Sequence, residues 1–190
     1  MIHQVVERPA RAQSAAASTK LRDYYLLRAG VAALWVAAAF TIGGNARLAA
    51  AALLIAYPAW DAAANLLDAS RNGGMARNPS QALNVAVSGI TAVAVAAAIG
   101  NMHTVLGIFG AWAILAGLLQ LATGVRRWKT FGAQWAMILS GAQSALAGAF
   151  FISQSFGSAV PSIADVAPYA AFGAFYFAAS ALWLVFRRAA

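Results

Sequence analysis

Apolar residues in this chain come in long unbroken runs rather than in alternation, and short polar breaks separate them. Six runs approach or exceed the ~20 residues that a helix needs to cross ~30 Å of hydrocarbon. They lie at about Asp23–Ile42, Ala46–Leu67, Ala82–Ile99, Thr104–Gly124, Phe131–Ile152 and Val166–Phe186. A transmembrane β-barrel needs segments of about ten residues that alternate apolar and polar, which is the wrong pattern. The runs therefore predict an all-α, polytopic membrane protein with six transmembrane helices. "TIGGN" and "IGNMH" are tight Gly/Asn turns, so helices one and two, and three and four, are expected to form antiparallel hairpins. "DASRNGGMARNPSQ" is a polar loop between the second and third helices, and "SQSFGSAVPSIADVAP" is the longest connection on the opposite side. Residues 1–22 are basic and Ala/Ser-rich with no sustained apolar face, and are expected to be an unstructured tail ahead of a transmembrane domain at 23–190. The apolar run after the tail is longer than the 7–15-residue core of a cleavable signal, so it is expected to stay in place as a span.

Composition strengthens this picture. The chain is 62% hydrophobic and 9% charged, with mean hydropathy +0.70, whereas a soluble domain carries about 25% charged residues. The sequence contains no cysteine, which rules out disulfides, thiolate nucleophiles and cysteine-ligated metals. The net charge of +8 acquires a meaning once it is mapped onto the spans. Arg8, Arg11, Lys20, Arg22, Arg71, Arg77, Arg126, Arg127, Lys129, Arg187 and Arg188 all fall on one side, and the other side holds Arg47. The excess of Lys and Arg marks the cytoplasmic face, so both termini are expected there. Threading thus accounts for the basic charge without nucleic acid, and "GVRRWK" is expected to meet anionic lipid headgroups. Tyr24, Tyr25, Trp128, Trp135 and Trp183 fall near that face and suit an interfacial aromatic belt. Trp35, Trp60 and Trp112 lie deeper and are expected to pack within the bundle.

A repeat runs through the helices. "RAGVAALWVAAAF", "VSGITAVAVAAAI" and "LSGAQSALAGAFF" align Gly30, Gly89 and Gly141, and seven residues on stand Ala37, Ala96 and Gly148. "AWDAAANLL", "AWAILAGLL" and "AFYFAASAL" align Trp60, Trp112 and Phe175, followed five residues on by Asn65, Gly117 and Ser180. The chain reads as three two-helix hairpins threaded alike, at about 23–70, 80–126 and 130–188, which implies an axis along the membrane normal. Gly110, Gly117 and Gly124 form the clearest small-residue stripe. Such stripes let helices approach closely, within one bundle or between copies in a homo-oligomer.

Polar residues gather at one level. Tyr57, Asp61, Asn65 and Asp68 are spaced four, four and three, which is one helical face. A carboxylate on that face must look into the bundle or onto water rather than at lipid. Asp61 lies about 9 Å inside the end of helix two and Arg28 about 7 Å inside the start of helix one, at ~1.5 Å per residue. Arg28 is therefore expected to pair with Asp61 or Asn65. Asn84 and Ser88 on helix three, Gln120 and Thr123 on helix four and Gln134 on helix five fall in the same third of the bundle. Two uses stay open. The cluster is a hydrogen-bonded clasp that sets helix register, or a water-filled vestibule that binds an ion or small solute, as in a small transporter or channel. Catalytic constellations are thin. The two histidines include no HExxH-like pair, His103 lies at the far end of the membrane from Asp61, and no metal, cofactor or catalytic residue is expected.

The segments "FGAWAILAGLLQLATGVRRWK", with Gly110, Trp112, Gly117 and Gln120, and "QWAMILSGAQSALAGAFF", with Trp135, Gly141 and Gly148, resemble the HdeD-like short-repeat family of bacterial inner-membrane proteins. The resemblance covers the six-helix region and leaves out the basic tail. It implies a multi-pass, non-enzymatic protein of the bacterial inner membrane, with a role in acid or envelope stress. The three-hairpin plan is also similar to that of mitochondrial carriers, but "PAWDAA" lacks their signature spacing.

Overall fold

The computed structural model describes residues 2–126 and 134–189, with side chains described from Ser18 onward except at 126, 134, 136 and 187–189. Gln134, the basic residues Arg8, Arg11, Arg126, Arg127, Lys129, Arg187 and Arg188, and Trp128 thus have side chains outside the described residues. Six α-helices account for nearly all of the described chain: α1 (Ile2–Ala38), α2 (Arg47–Arg71), α3 (Pro79–Ala98), α4 (Met102–Arg126), α5 (Gln134–Ser155) and α6 (Ile163–Ala189). α1 continues into a π-helical turn, Ala39–Gly43. Its helical backbone also reaches back through the basic segment expected to be unstructured. Ala15–Ala17 lead into the span with no breaker, so helix propensity carries the helix across that boundary.

Helix ends follow local chemistry. α2 stops where Gly73 and Gly74 adopt φ of +95° and +86°, backbone that a Cβ makes costly. The Gly74 N–H closes the helix end on the Ala69 carbonyl at 2.8 Å. Asn72 donates to the Asp68 carbonyl and carboxylate at 2.8 and 2.9 Å. Pro79 opens α3, where its missing N–H costs nothing.

Five helical stretches are long and apolar enough to cross a membrane: Ser18–Gly43, Arg47–Arg71, Pro79–Ala98, Met102–Val125 and Ile163–Phe186. α5 stands at the position of the remaining predicted span. The surface fits that solvent. Leu34, Ile90, Val93 and Leu146 are each 70–73% exposed, and water does not tolerate a belt of that kind around a folded domain. The chain is a helical, multi-pass membrane protein. Its core joins Trp35, Leu54, Val95, Val105, Leu106, Phe109, Trp112, Phe151 and Val166 from all six helices.

Of the expected hairpins, α3 and α4 pack together, but other interfaces are more extensive. The most extensive interfaces are α4 on α5, α1 on α6 and α2 on α3, while the α1 and α2 backbones seldom approach. Each large interface joins an even helix to the odd helix that follows it, with α6 meeting α1. The physical reason is clearest at α4–α5, where glycines face each other. A Cβ on Gly110 would lie 2.7 Å from the Gly148 carbonyl oxygen, and one on Gly117 would lie 2.5 Å from that of Gly141. The predicted stripe of Gly110, Gly117 and Gly124 is therefore an antiparallel, backbone-to-backbone seam. The three aligned glycines do not share that role, because a Cβ at Gly30 or Gly89 meets no atom within 4 Å.

Candidate functional site

Arg28 on α1 and Asp61 on α2 form the ion pair expected from their depth, through Nη2 and Oδ1. Asp61 lies ten residues from the end of α2 at Arg71, and Ser88 lies nine from the start of α3 at Pro79. Both are thus roughly 14–15 Å along their helices from the α2–α3 turn. A charge there requires partners, and the structure supplies them on three sides. The Ser88 hydroxyl donates to Asp61 Oδ2 at 2.8 Å. Asn65 Nδ2 donates to the same oxygen at 3.1 Å and to the Asp61 carbonyl at 2.9 Å. Asp61 thereby takes three side-chain donors, among them the cation that neutralises it.

The network extends in both directions. Trp112 Nε1 on α4 donates to Ser88 Oγ at 2.9 Å, so the buried Ser88 joins an indole to a carboxylate. On the cation's side, Arg28 Nη1 donates to Tyr24 Oη at 3.2 Å, and Tyr24 donates to the Ala64 carbonyl at 3.1 Å. The guanidinium lies over the Phe177 ring of α6 at 4.3 Å, a contact that favours a desolvated cation. Four helices contribute donors or acceptors and a fifth contributes a ring. Beside this network lies an aromatic block: Tyr57 meets Trp35 at 4.8 Å, Trp112 at 5.6 Å and Tyr169 at 6.4 Å between ring centroids.

The structure divides the predicted cluster. Arg28, Asp61, Asn65 and Ser88 come together, and Tyr57 packs against the Ser88 partner Trp112. Asp68 belongs to a separate tie, in which Gln81 Nε2 of α3 donates to Asp68 Oδ2 at 2.9 Å. Asn84 turns to its own helix and donates to the Ser80 carbonyl at 3.0 Å, as a short amide one turn on readily does. Gln120 bonds Ser140 and fastens α4 to α5. Tyr24 is no belt residue. The residue is 7% exposed and is turned inward to Arg28 and the Ala64 carbonyl. Trp135 and Trp183 are half-exposed. Trp35 does more than pack, since its Nε1 donates to the Leu53 carbonyl at 2.7 Å.

Tyr24, Trp112 and Phe177 were missed as members of the network. Tyr24 sits one turn before Arg28, a helical neighbour that spacing alone could have flagged. Trp112 and Phe177 carry no such signal, because their approach depends on how α4 and α6 are rotated. No group of three or more His, Cys, Asp or Glu that could hold a metal occurs among the described residues. An open apolar groove of about 450 Å³ lies on α6 along Pro168, Ala171, Phe172 and Phe175, and neither Arg28 nor Asp61 lines it. No protein-family model, curated protein or solved structure matches the chain.

Proposed function

We propose that this chain is a six-span, HdeD-like protein of the bacterial inner membrane, with both termini cytoplasmic and no catalytic activity. In this reading the network around Asp61 is a structural clasp and the protein serves acid or envelope stress tolerance. One observation carries the clasp: every polar atom of Asp61, Ser88 and Trp112 that could act on a solute is already engaged by a neighbouring helix. A transport site keeps ligand-facing groups available, whereas both carboxylate oxygens of Asp61 are bonded within the chain. The basic loops and tail face anionic headgroups, and the repeat copies meet through the even-to-odd interfaces. The glycine seam lies inside one chain, so it leaves open the surface through which copies would form a homo-oligomer.

Reconstitution into liposomes with an internal pH dye tests the clasp against transport. Wild type and Asp61→Asn are expected to give the same background proton flux. Flux above background that Asp61→Asn abolishes would replace the clasp with a small-solute or proton transporter. The stress role is tested by survival of a deletion strain across acid pH, where unchanged survival would discard it.

A further inference from the structure

The α1 and α6 backbones pack closely on each other and seldom approach α2 or α5. α2 packs on α3, α3 on α4 and α4 on α5 in an unbroken series. The molecule thus divides into a two-helix leaf, α1 with α6, and a four-helix block, α2 to α5. Both chain links between them lie at one end: residues 39–46 lead from α1 to α2, and residues 156–162 lead from α5 to α6. Apolar side chains fill the same end. A Cβ on Gly43 would stand 3.1 Å from Ile163 at the start of α6 and 3.4 Å from Leu53 of α2. Every member of the buried apolar core lies within about 15 Å of that end, at ~1.5 Å per residue.

Away from the core, leaf and block are joined by side-chain bonds. Among them are Arg28 to Asp61, the Tyr24 hydroxyl to the Ala64 carbonyl at 3.1 Å and the Tyr176 hydroxyl to Gln143 Oε1 at 2.6 Å. Each half of the ion pair also has support on its own side. Arg28 shares the leaf with Tyr24 Oη at 3.2 Å and the Phe177 ring at 4.3 Å. Asp61 shares the block with Ser88 at 2.8 Å and Asn65 at 3.1 Å. A charge without partners would make parting in a membrane too costly, and neither half is left in that state. We infer that α1 and α6 swing as one leaf about the end where the core lies and open at the opposite end, with Arg28–Asp61 as the latch. Hinges use a few residues at element ends, and residues 39–46 and 156–162 hold those places. Opening uncovers Asp61, Asn65 and Ser88. The inference rests on the clasp reading and adds that what the clasp holds can part. The two fail separately, because the clasp is judged by proton flux and by coupling of Arg28 to Asp61, and the leaf by distances and thiol access.

The chain has no cysteine, so cysteine pairs can carry spin labels at exposed positions. Leu27 with Leu83 spans leaf and block at the opening end, Phe40 with Val93 spans them at the core end, and Leu83 with Leu139 stays within the block. Leu27 lies ~24 Å from Gly43 along α1, so a rotation of about 15° moves it ~6 Å. Arg28→Gln with Asp61→Asn removes both charges and strands neither. Pulsed electron–electron distance measurement on that variant in lipid nanodiscs should show Leu27–Leu83 longer by ~6 Å than with the latch intact, and the other two pairs unchanged. No lengthening overturns the leaf, and so does lengthening of all three pairs, which marks general loosening. Thiol access gives a second readout with the latch intact. Ala64→Cys, 1% exposed beneath Tyr24, should react with a permeant maleimide several-fold faster than Val95→Cys, 0% exposed in the core. Equal rates overturn the leaf even where the double variant does not fold.

Discussion

Substituting Gly117 by alanine puts a number on the α4–α5 seam. The added Cβ would stand 2.5 Å from the Gly141 carbonyl oxygen, 2.7 Å from the Ala145 nitrogen and 3.1 Å from Ser144 Cβ. Two of the three atoms are backbone, so no rotamer change relieves the clash. The helices must part by roughly 0.9 Å to restore an ordinary 3.4 Å contact. A gap of that size forfeits a quarter to a half of each dispersion contact along the seam, and overpacking of this kind costs about 1–3 kcal/mol. Alanine regains up to ~1 kcal/mol of helix propensity. Set against that gain, the net expectation is a loss of about 0–2 kcal/mol, or a melting temperature lower by up to about 8 °C for a chain of this length, and lower than that of the controls, which keep the propensity gain without the clash. Gly89→Ala and Gly30→Ala are the matched controls, since nothing lies within 4 Å of either Cβ, and both should be neutral or slightly stabilising. The assay is heating in detergent followed by size-exclusion chromatography of the surviving monodisperse fraction. A second substitution at Gly141 should add little, because the helices have already separated. If Gly117→Ala melts with Gly89→Ala, the seam is not the close contact described and the reasoning fails.

The remaining expectations concern the clasp and one turn. Arg28→Ala and Asp61→Ala should each cost about 3–5 kcal/mol, because each leaves a buried charge alone. The double variant should be no worse than either single, and full additivity in thermal melts would mean that the two do not pair. Ser88→Ala removes a donor from Asp61 and strands Trp112 Nε1, a loss of about 1–3 kcal/mol. Adding Trp112→Phe to Ser88→Ala removes the stranded group, and a melt no lower than that of the single variant checks it. Gly74→Ala meets no atom within 4 Å, yet its φ of 86° and ψ of 171° belong to a glycine-only region. About 1–3 kcal/mol of backbone strain should appear as faster proteolysis of the α2–α3 turn, and Gly100→Ala, with no steric neighbour and no positive φ, serves as the control.

Depth along a helix is linear in residue number, and this is why the Arg28–Asp61 pair was legible from spacing. The same arithmetic placed Ser88 at the right level. Rotation about each helix axis is not linear in that way. Asn84 stands one turn from Ser88, yet it bonds its own backbone while Ser88 bonds Asp61. Gly30, Gly89 and Gly141 look alike in an alignment, but only Gly141 has another backbone against it. The hairpin pairs were inferred from short turns, which bring helix ends together and say little about the rest of their length. Tyr24 stands near the start of its apolar run, which suits an interfacial belt, but its hydroxyl is turned inward to the Ala64 carbonyl, again a matter of rotation.

The contrast between the two kinds of seam has a mechanical corollary. Where glycine meets glycine, the contact is made of peptide planes with no torsions to relax, and that half of the molecule should behave as a stiff plate. Where Arg28, Tyr24 and Trp35 reach across to α2, the link is made of rotatable bonds, and it should stretch before anything else does. Lateral tension or a thinner bilayer would therefore strain this protein first along the line between α1 and α2, with the α4–α5 plate moving as a unit.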